Sequence, residues 1–127
     1  MKDQFRGRAF LGGSSYGGRQ ASLLLASHAG LVEGLLLLSY PLHPPGKPAQ
    51  LRTAHFSDLR TPSLFVSGTK DSFGTIDELE AAIKLIPART ALAQIEGGSH
   101  GLAKPGTAAN IAGIVKQKFL DFFRLKT

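Results

Sequence analysis

Apolar residues in this chain fall into two alternating arrangements. The first is a set of short, continuous runs closed by glycine or proline. Phe10 and Leu11 mark one at residues 8–12, a leucine-rich run covers 34–39, and another covers 63–67. A weaker run at 90–95 ends at Gly97-Gly98. Continuous apolar runs, rather than strict alternation, predict strands covered on both faces. The second arrangement has helical spacing: Ala21, Leu24, Leu25 and His28, then Ile76, Leu79, Ile83 and Ile86, then Ile111, Ile114, Val115, Phe119, Phe122 and Phe123. Thr75 with Glu78 three residues on is the signature of a capping box at the start of the middle helix. Strand and helix alternate, so the expected fold class is α/β, a parallel sheet with flanking helices.

Residues 40–62 break the alternation. They hold Pro41, Pro44, Pro45, Pro48 and Gly46 with little helical periodicity. A functional loop and a plain surface excursion both fit this stretch, with one short helical turn expected around 51–56.

Size and composition limit the classes open to the chain. Its 127 residues are 43% hydrophobic and 19% charged, which predicts one globular domain over 1–127. There is no cysteine, which excludes disulfides, thiolate metal sites and a cysteine nucleophile. The net charge of +6 comes from scattered basic residues that are dense only near the C-terminus. No basic run is interleaved with aromatics, so a nucleic-acid partner is not expected. The run Leu35-Leu36-Leu37-Leu38 is too short to span a bilayer, and Met1-Lys2-Asp3-Gln4-Phe5 is no apolar leader. A cytoplasmic protein without a membrane partner is the expectation.

The chemistry centres on Gly13-Ser14-Ser15-Tyr16-Gly17, a G-x-S-x-G pattern between a predicted strand and an Ala/Leu-rich helix. A serine on such a strand-to-helix turn is strained, with its hydroxyl exposed at a helix N-terminus, and the glycines let the backbone bend. The pattern by itself is weak, and a glycine-rich turn that binds phosphate is the competing reading. The sequence matches neither the dinucleotide nor the Walker pattern.

A serine nucleophile needs a base, and the base needs an orienting carboxylate. Sites in parallel sheets lie at the carboxyl ends of strands. Asp71 follows the third predicted strand and His100 follows the fourth, in the chain order Ser, Asp, His. His43 and His55 sit in the long loop, ahead of these acids. His28 reads as a helix-end or packing residue, and Asp77 and Glu78 as helix-start residues. Asp71 also fits a turn residue bonding its own backbone, and His100 a structural histidine. The oxyanion donor after the nucleophile would be the Tyr16 amide. A second donor normally comes from a loop upstream, and fourteen residues ahead of Ser15 leave no room for it.

Four segments resemble one α/β-hydrolase group. They are Gly12-Gly13-Ser14-Ser15-Tyr16-Gly17-Gly18-Arg19, Ser39-Tyr40-Pro41-Leu42-His43-Pro44, Leu64-Phe65-Val66-Ser67-Gly68-Thr69-Lys70-Asp71 and Gly98-Ser99-His100. The group includes a testis-expressed protein and a subunit of the non-specific-lethal histone acetyltransferase complex, and is more distantly similar to dienelactone hydrolases. It usually carries Arg-Ser-Met where this chain has Ser14-Ser15-Tyr16. The resemblance implies an eight-stranded sheet of which this chain supplies strands 5–8, so a domain truncated on its N-terminal side is expected.

Together these readings predict a serine hydrolase acting on a small-molecule acyl substrate. Ser15 would be the nucleophile, His100 the base and Asp71 its orienter, with no metal and no cofactor. The alternative is a non-catalytic interaction module on a degenerate hydrolase scaffold. The first strand would be an unpaired apolar edge, which predicts a homo-oligomer formed through it.

Overall fold

The computed structural model describes residues 9–102 and 108–124. The apolar runs form four strands: β1 (Phe10–Ser14), β2 (Gly34–Leu38), β3 (Ser63–Gly68) and β4 (Thr90–Ile95). Three α-helices follow the strands as α1 (Tyr16–Ser27), α2 (Ile76–Ile83) and α3 (Ala108–Phe123), and a 3-10 turn covers Phe56–Asp58. The sheet is parallel throughout, in the order β1-β2-β3-β4.

Sequential strand order has a consequence for layering. Right-handed crossovers that all step in one direction leave every connection on the same face. That face holds α1, the 40–62 loop and α2, packed around Leu25, Leu37, Tyr40, Phe56, Phe65 and Leu79. The opposite face is left to α3. Its Phe122 and Phe123 cluster with Leu64, Val66, Ala93 and Ile95. The alternation of Leu35 and Leu37 with Leu36 and Leu38 sends β2 side chains to both cores. Arg89 closes the far end of α3: it donates to the Phe122 carbonyl at 2.6 Å and lies over the Phe122 ring. A cation there complements the negative end of the helix.

Besides one-residue shifts at the ends of β2 and β3, three boundaries differ from the sequence expectation. The first strand, expected at 8–12, runs from Phe10 to Ser14; Arg8 lies outside the described residues. Pairing with β2 in the register Phe10↔Gly34 to Ser14↔Leu38 carries strand geometry past Gly12 into Gly13 and Ser14, which hydrophobicity does not mark. α2 ends at Ile83, short of Ile86, yet Ile86 is buried because two tight turns bond Leu85 to Ala82 and Ile86 to Ile83. The short turn expected around 51–56 forms at Phe56–Asp58. The capping box is present: Glu78 N–H donates to Thr75 Oγ1, and Thr75 N–H donates to Glu78 Oε1. Among the described residues no helix is long and apolar enough to cross a membrane.

Candidate active site

Ser15 sits where β1 becomes α1, with φ 53° and ψ −124°. A non-glycine residue there is strained by about 1–3 kcal/mol. The conformation survives because both sides of the turn are held. Ser15 N–H donates to the Leu38 carbonyl at 2.8 Å, tying the turn to β2, and Arg19 N–H donates to the Ser15 carbonyl at 3.1 Å. Gly13 is required at the bend, since a Cβ there would lie 2.5 Å from Gly17 C and Gly18 N. Gly17 itself faces open space, so the second glycine of the pattern is not the one that permits close approach. A serine at a helix N-cap normally accepts from an amide of the first turn. Ser15 makes no such bond; its hydroxyl turns outward.

That hydroxyl meets His100. Ser15 Oγ lies 2.6 Å from His100 Nε2, and His100 Nδ1 lies 3.0 Å from both Asp71 carboxylate oxygens. An ionised carboxylate can only accept, so Nδ1 carries the proton and Nε2 presents its lone pair to the serine hydroxyl. The Asp71 side chain is 1% exposed and that of His100 27% exposed. The carboxylate is thereby shielded and the imidazole reachable. Asp71 also accepts from Phe73 N–H at 2.8 Å, and the Phe73 ring stacks on His100 at 4.0 Å.

The loops carrying Asp71 and His100 are bonded to one another. Thr69 N–H donates to the Ile95 carbonyl and Lys70 N–H to the Gly98 carbonyl, and Gly97 N–H donates to Thr69 Oγ1. The Tyr16 amide occupies the first helical position, where an N–H has no intrahelical acceptor. It is the amide that follows the serine, and the Ser15 amide is already committed to Leu38.

The remaining histidines lie apart from these three. His28 ends α1 at the surface, against the Leu24 carbonyl. His55 is within 2.7 Å of Ser22 Oγ; burial, with Arg19 nearby, pushes its pKa down. His43 is buried and has acceptors at both nitrogens, Glu78 Oε1 at 2.9 Å and the Pro44 carbonyl at 2.8 Å. These two bonds raise its pKa, favouring the doubly protonated ring. The backbone bond to Thr75 and the His43 contact hold Glu78 below the ordinary carboxylate range. His43 N–H also donates to the Phe73 carbonyl at 3.0 Å, so the Ser-Tyr-Pro-Leu-His segment braces the residue that stacks on His100. Sequence reasoning set His43 aside as a base and did not find Phe73; only the fold brings them to the site. Tyr40 of the same segment donates to the Arg52 carbonyl at 2.7 Å. Burial pushes the Tyr40 phenol up to about 12, so it stays a neutral donor. Among the described residues no group of three His, Asp or Glu side chains is placed to hold a metal ion.

Two comparisons bear on this arrangement. A family described as "Alpha/beta hydrolase domain" matches residues 2–115. Among solved structures, the chain is similar to an alpha-beta serine hydrolase homologue from Coxiella burnetii, with a TM-score of 0.64 at 15% identity over 97% of this chain and 51% of that one. A monoacylglycerol lipase from Paleococcus ferrophilus gives a TM-score of 0.70 at 12% identity, covering 91% of this chain and 69% of the lipase. A dienelactone hydrolase from Anabaena variabilis gives 0.67 at 20% identity, covering 95% and 52%. At these identities the likeness is one of fold, and the chain spans about half the length of two of these proteins.

Proposed function

Because this chain belongs to the alpha/beta hydrolase domain family, we propose that it is a serine hydrolase cleaving an ester, thioester or amide through Ser15, His100 and Asp71. The observation that carries the reading is the continuous relay from Ser15 Oγ through His100 to the buried Asp71, at 2.6 and 3.0 Å. In the reaction, His100 Nε2 takes the hydroxyl proton as Ser15 Oγ bonds to the substrate carbonyl carbon. The carbonyl oxygen becomes an oxyanion and receives the Tyr16 N–H. Asp71 stabilises the imidazolium that forms. The intermediate collapses as His100 returns the proton to the leaving group, and an acyl-serine remains. Water then attacks that ester with His100 as base, releasing the acid and restoring the hydroxyl.

The narrower placement beside the testis-expressed and non-specific-lethal complex proteins is also a proposal. It is supported by the Ser39-Tyr40-Pro41-Leu42-His43 segment, whose tyrosine and histidine are both buried and internally bonded.

The test is covalent labelling of the folded protein with a fluorophosphonate probe. Labelling of the wild type and none of Ser15→Ala is expected. A folded wild type that does not label overturns the proposal and leaves the interaction-module reading.

A further inference from the structure

Among the described residues, two arginines near the nucleophile have no carboxylate partner. Arg19 follows Ser15 by four residues, so it lies one turn along the same side of α1. Arg52 reaches in from the long loop, and its guanidinium carbon lies 5.0 Å from the ring centroid of Tyr16, the residue after the nucleophile. Among the described residues neither arginine pairs with a carboxylate. The Arg19 side chain faces the buried Tyr40 hydroxyl and His55, with its Nε buried and lacking a hydrogen-bond partner. Arg52 donates one N–H to the Pro41 carbonyl at 3.2 Å, while a guanidinium carries five.

The position of Arg52 is held by backbone bonds. Its N–H donates to the Leu42 carbonyl at 2.8 Å and its carbonyl accepts from the Tyr40 hydroxyl. Between Arg52 and His100 lies a shelf of aromatic rings. Phe73 stacks on His100 at 4.0 Å, Tyr16 meets Phe73 edge-on at 6.4 Å, and Tyr16 is 51% exposed. Asp71 is already engaged by His100, and Glu78 by His43. The positive end of the α1 dipole adds to the field of the two guanidinium groups.

We propose that Arg52 forms a subsite for a carboxylate carried by the substrate several bonds from the scissile carbonyl. The intervening apolar atoms would lie on Tyr16 and Phe73. This rests on the serine hydrolase reading and narrows its substrates to carboxylate-bearing esters. A planar guanidinium fork matches a carboxylate in a way that a lysine does not.

The experiment compares p-nitrophenyl hemiglutarate with p-nitrophenyl valerate, and 4-butyryloxybenzoate with its methyl ester. The first pair puts the charge on the acyl side, the second on the alcohol side. In at least one pair the charged ester is expected to have the higher kcat/KM by about tenfold or more, the range of a charge-assisted hydrogen bond. That preference shrinks with added salt. Arg52→Gln collapses the ratio, and Arg52→Lys restores part of it; thermal melts establish that both variants fold. Glutarate binding to Ser15→Ala, measured calorimetrically and lost in the Ser15→Ala/Arg52→Gln double variant, reads the subsite without catalysis. Equal kcat/KM within both pairs, unchanged in Arg52→Gln, overturns the subsite and leaves the hydrolase intact. Glutarate binding without hydrolysis of any ester or probe labelling overturns the hydrolase and leaves the subsite.

Discussion

Gly68 and Gly98 meet backbone to backbone at the ends of β3 and β4, so close that a Cβ on Gly68 would overlap the Gly98 carbonyl group. The contact sets the spacing of the two loops that deliver Asp71 and His100, three and two residues further on. Gly68→Ala therefore has to push these loops apart. It is expected to cost about 1–3 kcal/mol, as overpacking does, and to slow fluorophosphonate labelling even where the variant is fully folded. A melt together with a labelling time course checks both effects.

Asp71→Asn keeps an acceptor for Phe73 N–H but no longer accepts from His100 Nδ1 at both oxygens. The imidazole loses its imposed tautomer and its counter-charge. Turnover of an activated ester is expected to fall by about 10⁴-fold, with the melting temperature little changed. Full activity in the variant would remove Asp71 from the relay.

Ser15 stores strain that glycine would not. Ser15→Ala and Ser15→Gly both lack the hydroxyl, so their difference isolates the backbone at φ 53°. Ser15→Gly is expected to be the more stable by about 1 kcal/mol, and denaturant titration of the two variants measures it. Equal stability would mean that the turn is not strained.

The His43–Glu78 pair predicts a pH window. His43 is raised from its ordinary 6.5, so its contribution is complete below that pH and is lost as pH rises through the folded value. Glu78 is lowered from its ordinary 4.5, so its contribution is complete above that pH and is lost as pH falls through the folded value. Both are fully present between about pH 4.5 and 6.5. His43→Gln is expected to cost about 1–3 kcal/mol in that window, with the difference from wild type shrinking toward pH 9. His55 titrates in the opposite sense, so comparison with the variant, rather than the wild-type curve alone, reads His43.

Among the described residues, β1 lies at one edge of the sheet. Ser15 N–H and Ala9 C=O face β2, so the intervening Gly12 and Ser14 turn their backbone groups away from it. We propose pairing of this edge with a second copy, as exposed edges template. Light scattering is expected to report association that rises with concentration and weakens in Ser14→Lys. A monodisperse monomer at high concentration contradicts it.

Much of this protein was legible one residue at a time. Continuous apolar runs marked the four parallel strands, of which β2 and β3 are the buried ones; the stripe from Ile76 to Ile86 marked the packed face of α2, whereas Leu24 of the α1 stripe and Ile114 of the α3 stripe are exposed; and Thr75 with Glu78 determined where α2 starts. Residue type and position after a strand were enough to single out Ser15, Asp71 and His100, because such signals are local. The tertiary structure decided what depends on chain segments meeting. It extended β1 into Gly13 and Ser14, whose strand character comes from pairing with Leu37 and Leu38 rather than from their own side chains. It carried His43 to Glu78, 35 positions away, and set Phe73 between that pair and His100. It also brought Arg52 across to Tyr16, a proximity that no spacing encodes, since a loop's path follows from what it packs against.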